Sequence, residues 1–396
     1  MSTLKVDAIR HNSATSDAIT TASDGTCTAR ITGMTGGEQL SNRNKVINGG
    51  MTVSQRGTSF SHSASSAYTV DRFQHRPSGS PTFECTYTQS DDHPDGFSKS
   101  LKTTPNTADT SLLTSDNAMI RYMFEGQDLQ DLAYGTSSAK SITLSFYAKS
   151  GSQNNNHQYS VQFRKNNDGG VARKIVTAAF TVTTSWQRYT FTFAGDTGEN
   201  IRNDTENGLE LMWHLAAGPD DIHPAQSTWS STTNASSAGS PKFTAVNGQS
   251  NFLDNTNNEF YLTGVQVEVG DIATSFEFRG VGEELARCQR YYERIPINVS
   301  NLFLFGVNQF GSPGGIQFPF KVSKRVVPTT TSIDGSSSGN FSYYKVAGSG
   351  SNGNANFTVN SYTTEAMEVR SAGAAANGVF WTNKTSSGYI DASAEL

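Results

Sequence analysis

Apolar and polar residues alternate along much of the chain. Ile142, Leu144 and Phe146 alternate with Thr143 and Ser145, and Tyr159, Val161 and Phe163 with Ser160 and Gln162. Tyr189, Phe191 and Phe193 alternate with Thr190 and Thr192, and Leu209, Leu211, Trp213 and Leu215 with Glu210, Met212 and His214. A period of two is the mark of a half-buried strand, because successive side chains point to opposite faces. The stretch 68–73 reads as a further strand. A later run sets Tyr261, Val265, Val267 and Val269 on one face against Gln266 and Glu268, with Gly264 marking a bulge or a close backbone approach. Trp186 and Trp213, within or beside these runs, are expected in the core. At Gly282 the period changes. Val281, Leu285, Cys288 and Tyr292 follow at spacings of four, three and four, which lines one side of a helix. Glu283 and Glu284 open it, Arg290 and Arg294 lie near its end, and Pro296 stops it.

The expected fold class is mainly β. Residues 43–280 form a jelly-roll β-sandwich, 281–296 a short neck helix, and 297–396 a smaller C-terminal β-sandwich. In that last part Ile316, Phe318 and Phe320 form a strand that Pro319 puts at an edge, and further short strands fall at 341–344, 357–359, 367–369 and 379–381. Residues 1–42 are an extended segment too poor in apolar residues to bury a core of their own. The helix carries a narrow stripe and is marginal alone, so its apolar side is expected to pack on a neighbouring domain or on copies of itself.

Composition sharpens this picture at a few points. Only 16% of the 396 residues are charged and the net charge is −5, with no basic block, so no nucleic-acid partner is expected. Three widely spaced cysteines, Cys27, Cys85 and Cys288, make neither a disulfide framework nor a zinc site. The first residues contain no apolar stretch of signal-peptide type, which points to synthesis in a reducing cytoplasm.

No catalytic constellation stands out. Asp91-Asp92-His93-Pro94-Asp95 and Asp220-Asp221-Ile222-His223 read as solvated polar loops rather than metal sites, and no metal or cofactor is expected. Glu259, Glu268 and Glu277 offer carboxylates, but none has a partner at a spacing that glycoside cleavage requires. The Gly348–Gly353 run matches a dinucleotide fingerprint in letters only, since no strand-helix unit surrounds it. The best binding candidates are aromatic, because sugar rings stack on such faces: Trp229 in a polar loop of the large domain, and Tyr343, Tyr344 and Trp381 in the C-terminal module.

Three groups of residues carry a resemblance. The opening 1–14 with Ala22-Ser23-Asp24-Gly25-Thr26-Cys27-Thr28-Ala29 resembles the start of fibre-like structural proteins of marine cyanophages. Leu144–Ser150, Trp186–Phe193 and Leu262–Gly270 running into Ala273–Glu277 resemble the carbohydrate-binding-module jelly rolls of phage tail fibres. Cys288-Gln289-Arg290-Tyr291-Tyr292 is similar to the segment that leads into the tip of such fibres. The resemblance implies a non-enzymatic, homotrimeric receptor-binding tail fibre, made in the host cytoplasm and located in the virion. It implies attachment to tail adaptor or nozzle proteins through Leu4, Val6, Ile9 and Arg10, and a trimer neck at Val281, Leu285, Cys288 and Tyr292. It further implies a C-terminal tip, and host surface polysaccharide or an outer-membrane receptor as partner. A polysaccharide-degrading tailspike and a virion protein without receptor contact are the alternatives.

Overall fold

The computed structural model describes residues 6–9, 19–21, 23, 27–29, 42–63, 65–79, 83–165, 174–231 and 244–297. In the C-terminal part it describes 306–307, 315–333, 341–343, 353–354, 356–361, 363–372, 379–380, 382–384 and 388–396.

The alternating runs become two packed antiparallel sheets of six strands each. In spatial order the first sheet holds Gln187–Phe193, Ile142–Ser150, Phe260–Val269, Ser100–Pro105, Cys85–Ser90 and Ser59–His62. The second holds Lys174–Thr181, Gln158–Lys165, Asn207–Ala217, Asn117–Glu125, Gln74–Ser78 and Ala67–Tyr68. The inner faces share one core, with Leu144 and Phe146 meeting Val161, Phe163, Leu211 and Trp213. Trp213 is fully buried, its ring edge-on to Phe146 at 5.7 Å. This is a jelly-roll-type sandwich, as expected.

Three elements depart from the sequence pattern. Of the stretch 68–73 only Tyr68 lies in a strand; Val70 to Phe73 is a turn, in which Phe73 N–H reaches Val70 O at 3.1 Å and Arg72 takes a φ of 72°. The Phe260–Val269 strand does not keep one parity. Gly264 has a φ of 61°, and the register against Ile142–Ser150 slips there. Phe260 and Leu262 face the core before the bulge, Val265 and Val267 after it, so Tyr261 points away from the valines it was grouped with. A Cβ at position 264 would stand 2.7 Å from Phe97 and 2.8 Å from Tyr147, so the bulge also needs a residue without a side chain.

The third departure is the neck. The helix runs Val281–Gln289 only, and Tyr292–Ile297, Pro296 included, is an edge strand paired with Gly388–Ser393. Part of its stripe is taken up within this chain. Cys288 and Tyr292 are buried here, Leu285 is half-buried, and Val281 is 66% exposed. Polar bonds fasten the element to the sandwich. Glu284 accepts from Asn48 N–H, and Arg290 makes a two-pronged pair with the buried Glu125 at 2.9 and 2.8 Å. Arg72 lies between the rings of Tyr291 (3.5 Å) and Tyr122 (5.2 Å), and donates to Met123 O and Glu395, each at 2.6 Å. Arg325 then ties Ala394 O at 2.9 Å to Thr205 O at 2.7 Å on the sandwich side.

Near the N-terminus, Ala8–Ile9, Ile19–Thr21 and Cys27–Ala29 form a small antiparallel sheet. Val6 and Ile9 are 43% and 55% exposed, while Leu4 and Arg10 lie outside the described residues.

Three outcomes follow from these contacts. Arg72→Ala leaves Met123 O without its donor and Glu395 with Arg56 alone, and should cost about 1–3 kcal/mol, read from urea unfolding. Gly264→Ala should cost about 1–3 kcal/mol in the same measurement, because the ring atoms of Phe97 and Tyr147 must yield. The third concerns pH. Burial pushes the imidazole of His75 down to about 4, and burial beside Arg164 pushes that of His214 down to about 3. The unfolded chain takes up these protons below about pH 6.5 and the folded one does not, so stability is whole at pH 7 and is lost as pH falls toward 4. Each histidine should cost about 2 kcal/mol by pH 5. His214→Gln should narrow the gap between the urea midpoints at pH 7 and pH 5.

Candidate functional site

With Ile142, Leu144, Phe146 and Ala148 committed to the core, the alternate residues Tyr147 and Lys149 face outward from the first sheet. Tyr261, turned out by the bulge, pairs in register with Lys149 on one neighbouring strand and with Lys102 on the other. Trp186, just ahead of Gln187–Phe193, is not a core residue. Its indole lies half-buried on this outer face, edge-on to Tyr261 at 6.1 Å. The loop between Val182 and Gln187 breaks the strand parity that had assigned Trp186 inward.

Charged groups interleave with these rings. Trp186 Nε1–H donates to Asp92 Oδ1 at 3.0 Å, and Lys149 donates to the other oxygen of Asp92. The Lys149 ammonium stands 4.6 Å from the centre of the Tyr261 ring and 5.6 Å from that of Trp186. Lys102 pairs with Glu259 at 2.5 Å, and Tyr261 Oη–H donates to the second oxygen of Glu259 at 3.0 Å. Burial alone would raise the carboxyl of Asp92, but the hydrogen bonds from Lys149 and Trp186 outweigh it and hold the group below the usual range. Burial would likewise lower Lys102, and its bonds to Glu259 and Tyr261 raise it instead. The phenol of Tyr261 is raised, chiefly by burial. Each lysine thus has its own carboxylate, and the strip carries no surplus charge. A carboxyl held ionised is a poor general acid, so Asp92 has the wrong poise for proton donation.

The aromatic line continues along the same face. Tyr147 meets Phe97 at 5.2 Å, and Phe97 meets Phe276 at 5.0 Å and Phe278 at 5.1 Å. Phe278 is 62% exposed and adjoins the exposed Val281 at the head of the helix. Between these rings and the helix lies a cavity of about 230 Å³, with Gly50 and Gly96 among its walls. The whole strip can stack on C–H faces of a polar ligand while the ion-paired side chains donate to and accept from its hydroxyls.

The outer face of the second sheet is built over. Ile222–His223 and Ala245–Val246 pair in parallel across it, with Val246 N–H bonded to Ser160 Oγ at 2.8 Å. Beneath them Gln162 and His214 are joined at 3.1 Å, and Arg164 pairs with Glu210 at 2.5 Å. Among the described residues no three His, Cys, Asp or Glu side chains gather as metal ligands. Asp91 pairs with Lys99, and Asp221 accepts from Asn117 at 2.6 Å.

Of the aromatic candidates, Trp229 closes a core edge rather than joining the strip: its N–H donates to Ala194 O at 2.8 Å and its ring packs edge-on to Tyr134 at 5.5 Å. The side chain of Tyr343, and the whole of Tyr344 and Trp381, lie outside the described residues. The strip residues Tyr147 and Lys149 were readable from strand parity. Tyr261 became readable only with the bulge, and Trp186 only with the loop that precedes its strand.

No protein-family model matches the sequence, and no curated protein does. Several solved structures share some of its architecture. The enzymatically active domain of tailspike protein 4 of bacteriophage CBA120 is 11% identical, over 57% of this chain and 21% of that one, with a TM-score of 0.28. The chain therefore spans about a fifth of that protein's length. A family 11 carbohydrate-binding module from Clostridium thermocellum, in complex with a β-1,3-1,4-mixed-linked tetrasaccharide, is 11% identical over 55% of this chain and 99% of that one, with a TM-score of 0.28. The CBM22-1 xylan-binding domain of Paenibacillus barcinonensis Xyn10C is 13% identical over 54% and 95%, with a TM-score of 0.26. Identities and scores of this size carry no inference about ligand or activity.

Proposed function

We propose that this chain is a structural, non-enzymatic tail-fibre protein of a bacteriophage, and that it adsorbs to the host by holding surface glycan along the outer face of its first sheet. The observation that carries this reading is the strip itself: Trp186, Tyr261 and Tyr147 on rigid strands or at their margins, interleaved with the Lys149–Asp92 and Lys102–Glu259 pairs. Such a face suits a sugar, which offers apolar C–H planes edged by hydroxyls. Because each cation is already neutralised, the site favours a neutral glycan over an acidic one.

The remaining parts of the reading come from the sequence resemblance. The N-terminal segment attaches the fibre to the tail, and the exposed side chains of Val6 and Ile9 leave apolar surface for an adaptor protein. The fibre is a homotrimer in which Val281 and Leu285 remain for contact between copies, since Cys288 and Tyr292 are used within the chain. Three weak sites per fibre, and several fibres per virion, add by multivalency, so a shallow face suffices.

The test is glycan binding and adsorption. Purified protein should bind isolated host surface polysaccharide, block phage adsorption and leave the polymer's length unchanged on incubation. Trp186→Ala and Tyr261→Ala should each weaken polysaccharide binding about tenfold, which is about 1.4 kcal/mol. Trp186→Ala should leave the unfolding free energy, read from urea titration, within about 1 kcal/mol of wild type, because the ring lies outside the core. Undiminished binding by both variants would remove the strip from the mechanism, and a shortened polymer would make the protein an enzyme.

A further inference from the structure

We infer that Gln187–Phe193, an edge strand of the first sheet, is a pairing surface, and that its partner is the same strand of a second copy, antiparallel about a twofold axis at Thr190. This surface is separate from the aromatic strip and from the contact through Val281 and Leu285.

The edges of the sandwich are protected unequally. Ser59–His62 and Ala67–Tyr68, on one side, are four and two residues long, and such short edges offer little to pair with. On the other side Lys174–Thr181 is covered. Ile175 exchanges N–H···O bonds with Ser230 in both directions at 3.0 Å, and Thr177 N–H reaches Gln226 O at 2.8 Å. Gln187–Phe193 has neither protection. It is seven residues long, its register against Ile142–Ser150 runs without a slip, and it contains no proline, glycine or lysine. Among the described residues no backbone bond reaches it from the outward side. Its one charged side chain, Arg188, is drawn back onto its own sheet, donating to Ser145 Oγ at 3.0 Å and to Thr274 O. A bare, regular edge of this kind presents unpaired N–H and C=O groups to another strand.

The residues along the edge fit a copy of themselves. A twofold at Thr190 sets Thr190 opposite Thr190, Tyr189 opposite the partner's Phe191, and Arg188 opposite the partner's Thr192. Threonine pairs and aromatic pairs stabilise directly opposed positions, and no like charges meet. Tyr189 and Phe191 are half-buried, stacked on Phe146 at 5.5 and 6.3 Å, so each has ring surface left for the other copy. Charge matches as well. Thr192 Oγ1 donates to Asp271 O at 3.3 Å, so the end of the edge that meets the partner's Arg188 carries an acidic residue. Trp229, bonded to Ala194 O, closes the edge just past Phe193 and confines the pairing to this strand. So short an edge buries less than the roughly 1,200–2,000 Å² of a standard interface, and the contact is weak and concentration-dependent. It joins two first sheets into one, with both aromatic strips on the same outer face, where they can engage one polymer together.

Sedimentation velocity of the full chain over a concentration series tests this. Wild type should show an association step that Thr190→Lys and Thr190→Glu each weaken about tenfold or more, because like charges then face each other across the axis. An equimolar mixture of the two variants should restore the step, since lysine then faces glutamate. Thr190 is exposed, so both variants should keep the wild-type near-UV circular dichroism. Independently of any variant, amides within Gln187–Phe193 should exchange more slowly with deuterium in concentrated than in dilute protein. No association step in wild type up to roughly 1 mM, the weak end of specific binding, overturns the inference. So does an association that neither variant changes, which assigns it to Val281 and Leu285 or to another surface. Loss in both variants without recovery in the mixture gives the edge to a different strand and overturns the second copy as its partner.

Discussion

The guanidinium of Arg72 ties the second sheet to the end of the helix and to the last residues of the chain. It is buried, on a residue in the left-handed backbone region that costs a non-glycine residue roughly 1–2 kcal/mol. That conformation persists because four partners converge on the side chain. Tyr122 and Met123 O belong to the second sheet, Tyr291 follows the helix, and Glu395 lies just beyond the strand that pairs with Tyr292–Ile297. A buried cation needs such partners, because its desolvation costs several kcal/mol. One residue in a turn thus joins the sandwich, the helix and the far end of the chain. Arg56 repeats the motif beside it, stacked on Tyr292 at 3.5 Å and paired with Glu395 at 3.1 Å.

That anchoring has a functional consequence. With Cys288, Tyr291 and Tyr292 buried within the chain, the head of the helix is fixed against the sandwich, and Val281 is held beside Phe278. The helix start forms one wall of the cavity at the end of the strip, through Val281 and Glu284. Glu277 and Arg279 strengthen the same join by bonding the backbone of Arg43, Asn44 and Val46. The proposed glycan face gains from such rigidity, since ordering costs on the protein side are already met before a ligand arrives.

The strip also has an economy of charge. Lys149 and Lys102 both lie beside the Tyr261 ring, and each is matched by a carboxylate that a second hydrogen bond orients, from Trp186 or from Tyr261 itself. The aromatic groups are therefore held by the ion pairs and the ion pairs by the aromatic groups. In both pairs the carboxylate oxygens are occupied by an ammonium and by a phenolic or indole donor.

Much of the sandwich was legible in the chain. Alternation at 142–146, 159–163, 189–193 and 209–215 assigned strand and core face correctly, because the core side of a sheet takes apolar side chains at every second position; at 159–163 and 209–215 the polar side proved buried too, beneath the segments that cover the second sheet. The helix start at Val281 was legible for the same kind of reason, through its own period. What local pattern could not decide was wherever one residue changes the phase or a distant residue supplies the partner. Gly264 turns Tyr261 outward, a loop frees Trp186 from the core, and a turn at Arg72 replaces an expected strand. The burial of Cys288 and Tyr292 within their own chain rather than against copies was equally beyond reach, since Arg72, Glu125 and Glu395 are far from them in sequence. Periodicity is a property of neighbours along the chain and is written there. The outer aromatic strip and the anchored helix depend on side chains tens to hundreds of residues apart, and only the folded structure brings those together.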